Sequence, residues 1–84
     1  MGLYYITFRS VTFAQRGEKL LQKKNIRVYL MRTPRWMEEQ GCGYALKLWT
    51  GEISGIVHLL RENRIQLRKV YVQREDGAME EVRL

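Results

Sequence analysis

The hydrophobic period of this chain changes in a fixed order, and that order restricts the fold more than any other feature. "LYYITF" (3–8) is dense in aromatic and β-branched residues and reads as a strand. "TFAQRGEKLLQKK" then moves to helical spacing, with Phe13, Gly17, Leu20 and Leu21 on one side. Thr12 followed by Gln15 has the form of a capping box. "IRVYLM" (26–31) and "YALKLW" (44–49) return to alternation, with Ile26, Val28, Leu30 and then Tyr44, Leu46, Leu48 pointing one way. Thr50 is placed to cap a second helix, with Glu52 in its first turn, where the helix dipole favours an anion. Ile53, Ile56, Val57 and Leu60 give that helix its apolar stripe. "RKVYV" (68–72) is a fourth strand, and Asp76-Gly77 is a hairpin-type turn.

The order is therefore β-α-β-β-α-β, which predicts an α+β fold: a ferredoxin-like sandwich of a four-stranded antiparallel sheet with two helices on one face. Residues 1–75 are expected to form this single domain, and 76–84 a hairpin strand or a tail. At 84 residues there is room for one modest core and little room for a deep enzyme cleft. In this topology the first helix starts at the same end of the sheet as the loop between strands two and three. "FRSVT" (8–12) is thus expected beside "TPRWMEEQGCG" (33–43).

That loop holds the only proline and the only cysteine of the chain. Thr33-Pro34 reads as an N-cap and first helical position, so a helical turn is expected through "PRWMEEQ", ended by Gly41. Cys42 follows at once, and Gly43 leaves its sulfur without a shielding side chain on that flank. A thiol with pKa about 8.5 is mostly protonated at neutral pH, and it reacts as the thiolate. The N-terminus of the first helix, Arg9 and Arg35 are the groups expected to favour that anion. Glu38 and Glu39 act against it. The alternative is a half-buried, unreactive thiol serving as a small hydrophobe.

Three short motifs in order, Arg9-Ser10 after the first strand, Pro34-Arg35 after the second and Cys42-Gly43 opening the third, resemble those of the selenium/sulfur carrier protein-like family. The likeness extends to about Val72. "EEQG" stands where that family usually has serines. The resemblance implies a thiol-dependent carrier or transfer accessory rather than an enzyme, with Cys42 accepting sulfur or selenium as a persulfide or selenosulfide. Arg9, Ser10, Arg35 and Gly43 would form its surroundings, and chalcogen donor and acceptor proteins would be its partners.

A second, non-catalytic reading rests on the other sheet face. Alternation gives that face Tyr5, Thr7, Arg27, Tyr29, Met31, Lys47, Trp49, Lys69 and Tyr71. Tyr5, Tyr29, Lys47, Trp49 and Tyr71 are the candidate binding surface, since rings stack on bases and cations meet phosphates. "YALKLW" lacks the aromatic-glycine motif of RNA-recognition domains, so a homodimer through this face ranks above RNA as the partner. The net charge of +6 suits anionic partners generally.

Other chemistries find no support. There is no Cys/His set at metal-ligand spacing and "GCG" lacks the Gly-Lys of a phosphate loop, so no metal or cofactor is expected. Glu38 and Glu39 would point about 100° apart on a helix, which does not make an acid/base pair. His58 and Arg61, Arg64, Arg68 and Arg74 read as solvated surface. No apolar run approaches the ~20 residues of a membrane span. "MGLYYITF" lacks the basic region and cleavage site of a signal peptide. The reducing cytoplasm, where a lone thiol stays reduced, is the expected location.

Overall fold

The computed structural model of the chain describes residues 1–34 and 43–84. Its elements are β1 (Gly2–Phe8), α1 (Val11–Lys23), β2 (Val28–Arg32), β3 (Tyr44–Thr50), α2 (Ile53–Glu62), β4 (Val70–Gln73) and β5 (Met79–Val82). The strands form one sheet in the order β2-β3-β1-β4-β5, and every neighbouring pair is antiparallel. The expected α+β class, two helices and antiparallel sheet are present, but the sheet has five strands rather than four. The turn explains the extra strand. Gly77 adopts φ +87, which glycine takes without a Cβ penalty, and Asp76 Oδ1 accepts the Ala78 N–H at 2.9 Å. The chain is thereby returned alongside β4, with Gln73 opposite Met79, and Arg74 pairs with Glu80 just beyond the turn.

Both helices pack on the sheet face that carries Ile6, Phe8, Leu46 and Leu48. From α1 come Ala14 and Leu21, from α2 Ile56, Val57 and Leu60. Gly17 sets how closely these layers approach. A Cβ there would stand 3.2 Å from Leu46 Cδ1, 3.4 Å from Leu60 Cδ2 and 3.5 Å from Phe8 Cζ. Helix–sheet–helix contact is closed at that point by the absence of a side chain.

Both helices end in the same way. After α1, Asn25 takes φ 62, and the Ile26 N–H donates to Leu21 O at 2.9 Å. After α2, Arg64 takes φ 58, and the Ile65 N–H donates to Leu60 O at 3.0 Å. This is the Schellman arrangement, in which the residue after the left-handed one folds its side chain back toward the helix. Ile26 and Ile65 both join the core in consequence. That is why β2 begins at Val28, not at Ile26 as alternation alone predicts.

Helix starts also differ from expectation. Ser10, not Thr12, caps α1, and its hydroxyl accepts the N–H groups of Thr12 at 3.1 Å and Phe13 at 3.4 Å. The pairing of Thr12 with Gln15 pointed to the wrong residue because Ser10 has Phe13, not Glu or Gln, three positions on. Thr50 remains the last residue of β3, and its hydroxyl accepts the Glu52 N–H at 2.9 Å. Glu52 itself is the N-cap of α2 and makes no side-chain cap bond.

Candidate functional site

The register places several family-type motif residues at one end of the sheet. Phe8, the last residue of β1, stands opposite Tyr44, the first of β3, and Arg32, the last of β2, flanks Tyr44 on the other side. Beyond this row the Thr33 N–H donates to Gly43 O at 3.0 Å. Pro34 and Gly43 therefore leave from, and return to, the sheet end at which Ser10 starts α1. Gly43 is buried and Arg9 is exposed. Cys42 and Arg35 lie outside the described residues, as do Gly41, Glu38, Glu39 and the helical turn expected through "PRWMEEQ".

The electrostatics of this end are cationic. The first turn of α1 carries no acidic residue to offset the positive end of its dipole. A cavity of about 420 Å³ opens here, lined by Arg9, Ser10, Phe13, Gln66, Leu67, Arg68 and Lys69. Thr7 draws the last two in. Its carbonyl accepts the Arg68 N–H at 2.7 Å, its hydroxyl accepts the Lys69 N–H at 3.0 Å, and its own N–H donates to Lys69 O at 2.8 Å. These bonds also displace the start of β4 to Val70. Lys69 reaches Glu81 at 3.9 Å. Arg32 lies over the Tyr44 ring, 5.9 Å from its centroid, within cation–π range.

Residues 3–72 match the family described as Putative Se/S carrier protein-like. The chain belongs to this family. No curated protein and no solved structure matches it. The match spans β1 through most of β4, so the matched region includes Arg9-Ser10, Pro34-Arg35 and Cys42-Gly43, whereas β5 lies beyond it.

Sequence reasoning missed Arg32, Arg68 and Lys69 as neighbours of this end of the sheet, having assigned Arg68 to a solvated surface. The usable signal was topological. Once β4 is set beside β1, the residues just before it must abut the end of β1.

The opposite sheet face separates into two parts. By register Tyr5, Lys47, Tyr29 and Tyr71 lie in one row across it, with Trp49 on the same side. Tyr5 and Tyr71 are each only 9% exposed, packed with Leu3, Met31 and Met79, and the Tyr5 hydroxyl donates to Gln73 Oε1 at 3.2 Å. Tyr29 and Trp49 are 57% and 62% exposed. The five-residue candidate surface is thus a closed patch at β1–β4 and an open one at β2–β3. β5 extends the sheet at its edge, paired to β4. On α2, His58 lies exposed beside Glu62 at 3.4 Å. Among the described residues no helix is long and apolar enough to cross a membrane.

Proposed function

We propose that this chain is a carrier of sulfur or selenium that uses Cys42 as its acceptor. The scaffold we read as ferredoxin-like with an added edge strand, β5. One observation above all supports the reading: the two flanks of the Cys42 segment, Pro34 and Gly43, stand at the sheet end where Arg9 and Ser10 open α1. A helix N-terminus with Arg9, Arg68 and Lys69 around one cavity is a setting in which a thiolate or a persulfide anion is favoured.

The transfer balances without an outside oxidant. The Cys42 thiolate attacks the terminal sulfur of a donor protein's persulfide. The donor's S–S bond breaks, a new S–S bond forms on Cys42, and the donor cysteine leaves as thiolate. The Cys42 persulfide keeps the proton of the transferred sulfur. Selenium follows the same path with a selenosulfide donor. Delivery repeats the step with an acceptor nucleophile. A donor and an acceptor protein are therefore the partners, in a reducing compartment that keeps Cys42 unpaired.

Incubation with a cysteine desulfurase and cysteine, or with a selenocysteine lyase and selenocysteine, tests this. Intact-mass spectrometry is expected to show one added chalcogen that dithiothreitol removes. Cys42→Ser is expected to show none and to keep the native circular dichroism. Arg9→Ala is expected to slow the gain without abolishing it. Wild-type protein that gains no mass from either donor would remove the carrier reading.

A further inference from the structure

We propose that the groove at the β2 edge binds an unpaired nucleotide of single-stranded nucleic acid. Its base would stack on Trp49 and Tyr29, and its phosphates would lie on Arg27 and Lys47. This site is distinct from the Cys42 end. Gly43 precedes the seven residues of β3 and Trp49 is next to last in that strand, so the two ends stand about 20 Å apart.

The cavity here measures about 630 Å³, within the usual range for small-ligand sites. Its walls are the connection from α1 to β2 (Asn25, Ile26, Arg27), the exposed rings of Tyr29 and Trp49, and the start of α2 at Glu52 and Ile56. Tyr29 is opposite Lys47, so Trp49, two residues further along β3, is its diagonal neighbour on the same face. Diagonal neighbours in an antiparallel pair stand about 7–8 Å apart. A stacked base occupies about 3.4 Å, so one base fits against or between the two rings. Tyr5 and Tyr71 offer no such surface, because their rings are closed in by Leu3, Met31 and Met79. Stacking on this sheet is confined to the groove.

Charge identifies the occupant. The pairing of Val28 with Leu48, continued by one residue, brings Arg27 opposite Trp49, and Lys47 stands opposite Tyr29. Among the described residues neither cation has an acidic partner. Asn25 and Glu52 add an amide for a base edge and a carboxylate that can accept from a ribose hydroxyl. A second copy of this chain docked by the same face would gather two Arg27 and two Lys47 into one interface, in a protein already at +6. A polyanion meets both cations favourably. Exposed rings need a base already out of its stack, which selects single strands over duplex.

The test is fluorescence anisotropy with end-labelled eight-nucleotide single-stranded RNA and DNA. Trp49→Leu keeps apolar bulk but loses the π face, and is expected to weaken binding roughly 5- to 150-fold. Tyr29→Leu is expected to act in the same direction, and Tyr29→Phe to bind as the native protein. The double variant Arg27→Gln/Lys47→Gln is expected to lower the salt slope of log K by about 1.4. Thermal melting of each variant establishes that it is folded. Four results would each overturn the proposal: no binding of either strand by native protein; Trp49→Leu binding as tightly as native; adenosine monophosphate competing as well as the strand per nucleotide, which would make the ligand a free nucleotide; or a native dimer in sedimentation that Trp49→Leu converts to monomer. None of them bears on chalcogen loading of Cys42.

Discussion

On the helix side of the sheet Ile6, Phe8, Leu46 and Leu48 are closed off from water by two helices, whereas on the other side no helix among the described residues covers the strands. Yet the uncovered side is not uniformly open. Around Tyr5 and Tyr71 the strands supply their own cover from Leu3, Met31 and Met79, and β5 contributes one of those residues. Around Tyr29 and Trp49 β2 is the outermost strand, and the rings remain in solvent. A sheet face can therefore be sealed by neighbouring strands alone where the sheet is wide enough. Where it ends, aromatic residues stay available to a partner.

Three substitutions probe this gradient by urea denaturation at constant m. Leu46→Ala removes a side chain on the sealed side, at the contact point with Gly17, and is expected to cost about 2–5 kcal/mol. A loss below about 1 kcal/mol would mean that the helices do not close this face. Tyr5→Phe keeps the ring in the self-covered patch and deletes its bond to Gln73, so a loss of about 0.5–1.5 kcal/mol is expected. No change would show the patch to be held by apolar contact alone. Trp49→Leu lies on the open part, and its effect is expected to stay within about 0.5 kcal/mol of zero. A loss of 2 kcal/mol or more would show Trp49 to be part of the core and would erase the distinction between the two halves.

At the opposite end of β3 a second contrast appears. Arg9-Ser10 and Cys42-Gly43 stand out in the sequence because they are local motifs, and the family they resemble is the one the chain belongs to. Arg32, Arg68 and Lys69, which share that end, carried no local signal. Each reaches it through strand pairing: Arg32 through its register with Tyr44, and Arg68 and Lys69 through Thr7. The capping of α1 by Ser10 likewise escaped the reading, since it follows from where β1 stops and the chain turns.

The sequence by itself determined which residues alternate and which recur at helical spacing, and hence the order of elements and the side of the sheet each residue faces. Those periods of 2 and 3.6 are properties of the backbone over a few residues, so they survive without any knowledge of neighbours. Tertiary structure alone decided that 79–82 is a fifth strand rather than a tail, that Tyr5 and Tyr71 are buried on the face opposite the two helices, and that Asn25, Arg27, Trp49 and Glu52 line one groove. Each of these depends on which strand lies beside which. Thr7 and Lys69 are bonded across a separation of 62 positions, and no local period in the sequence encodes such a partner.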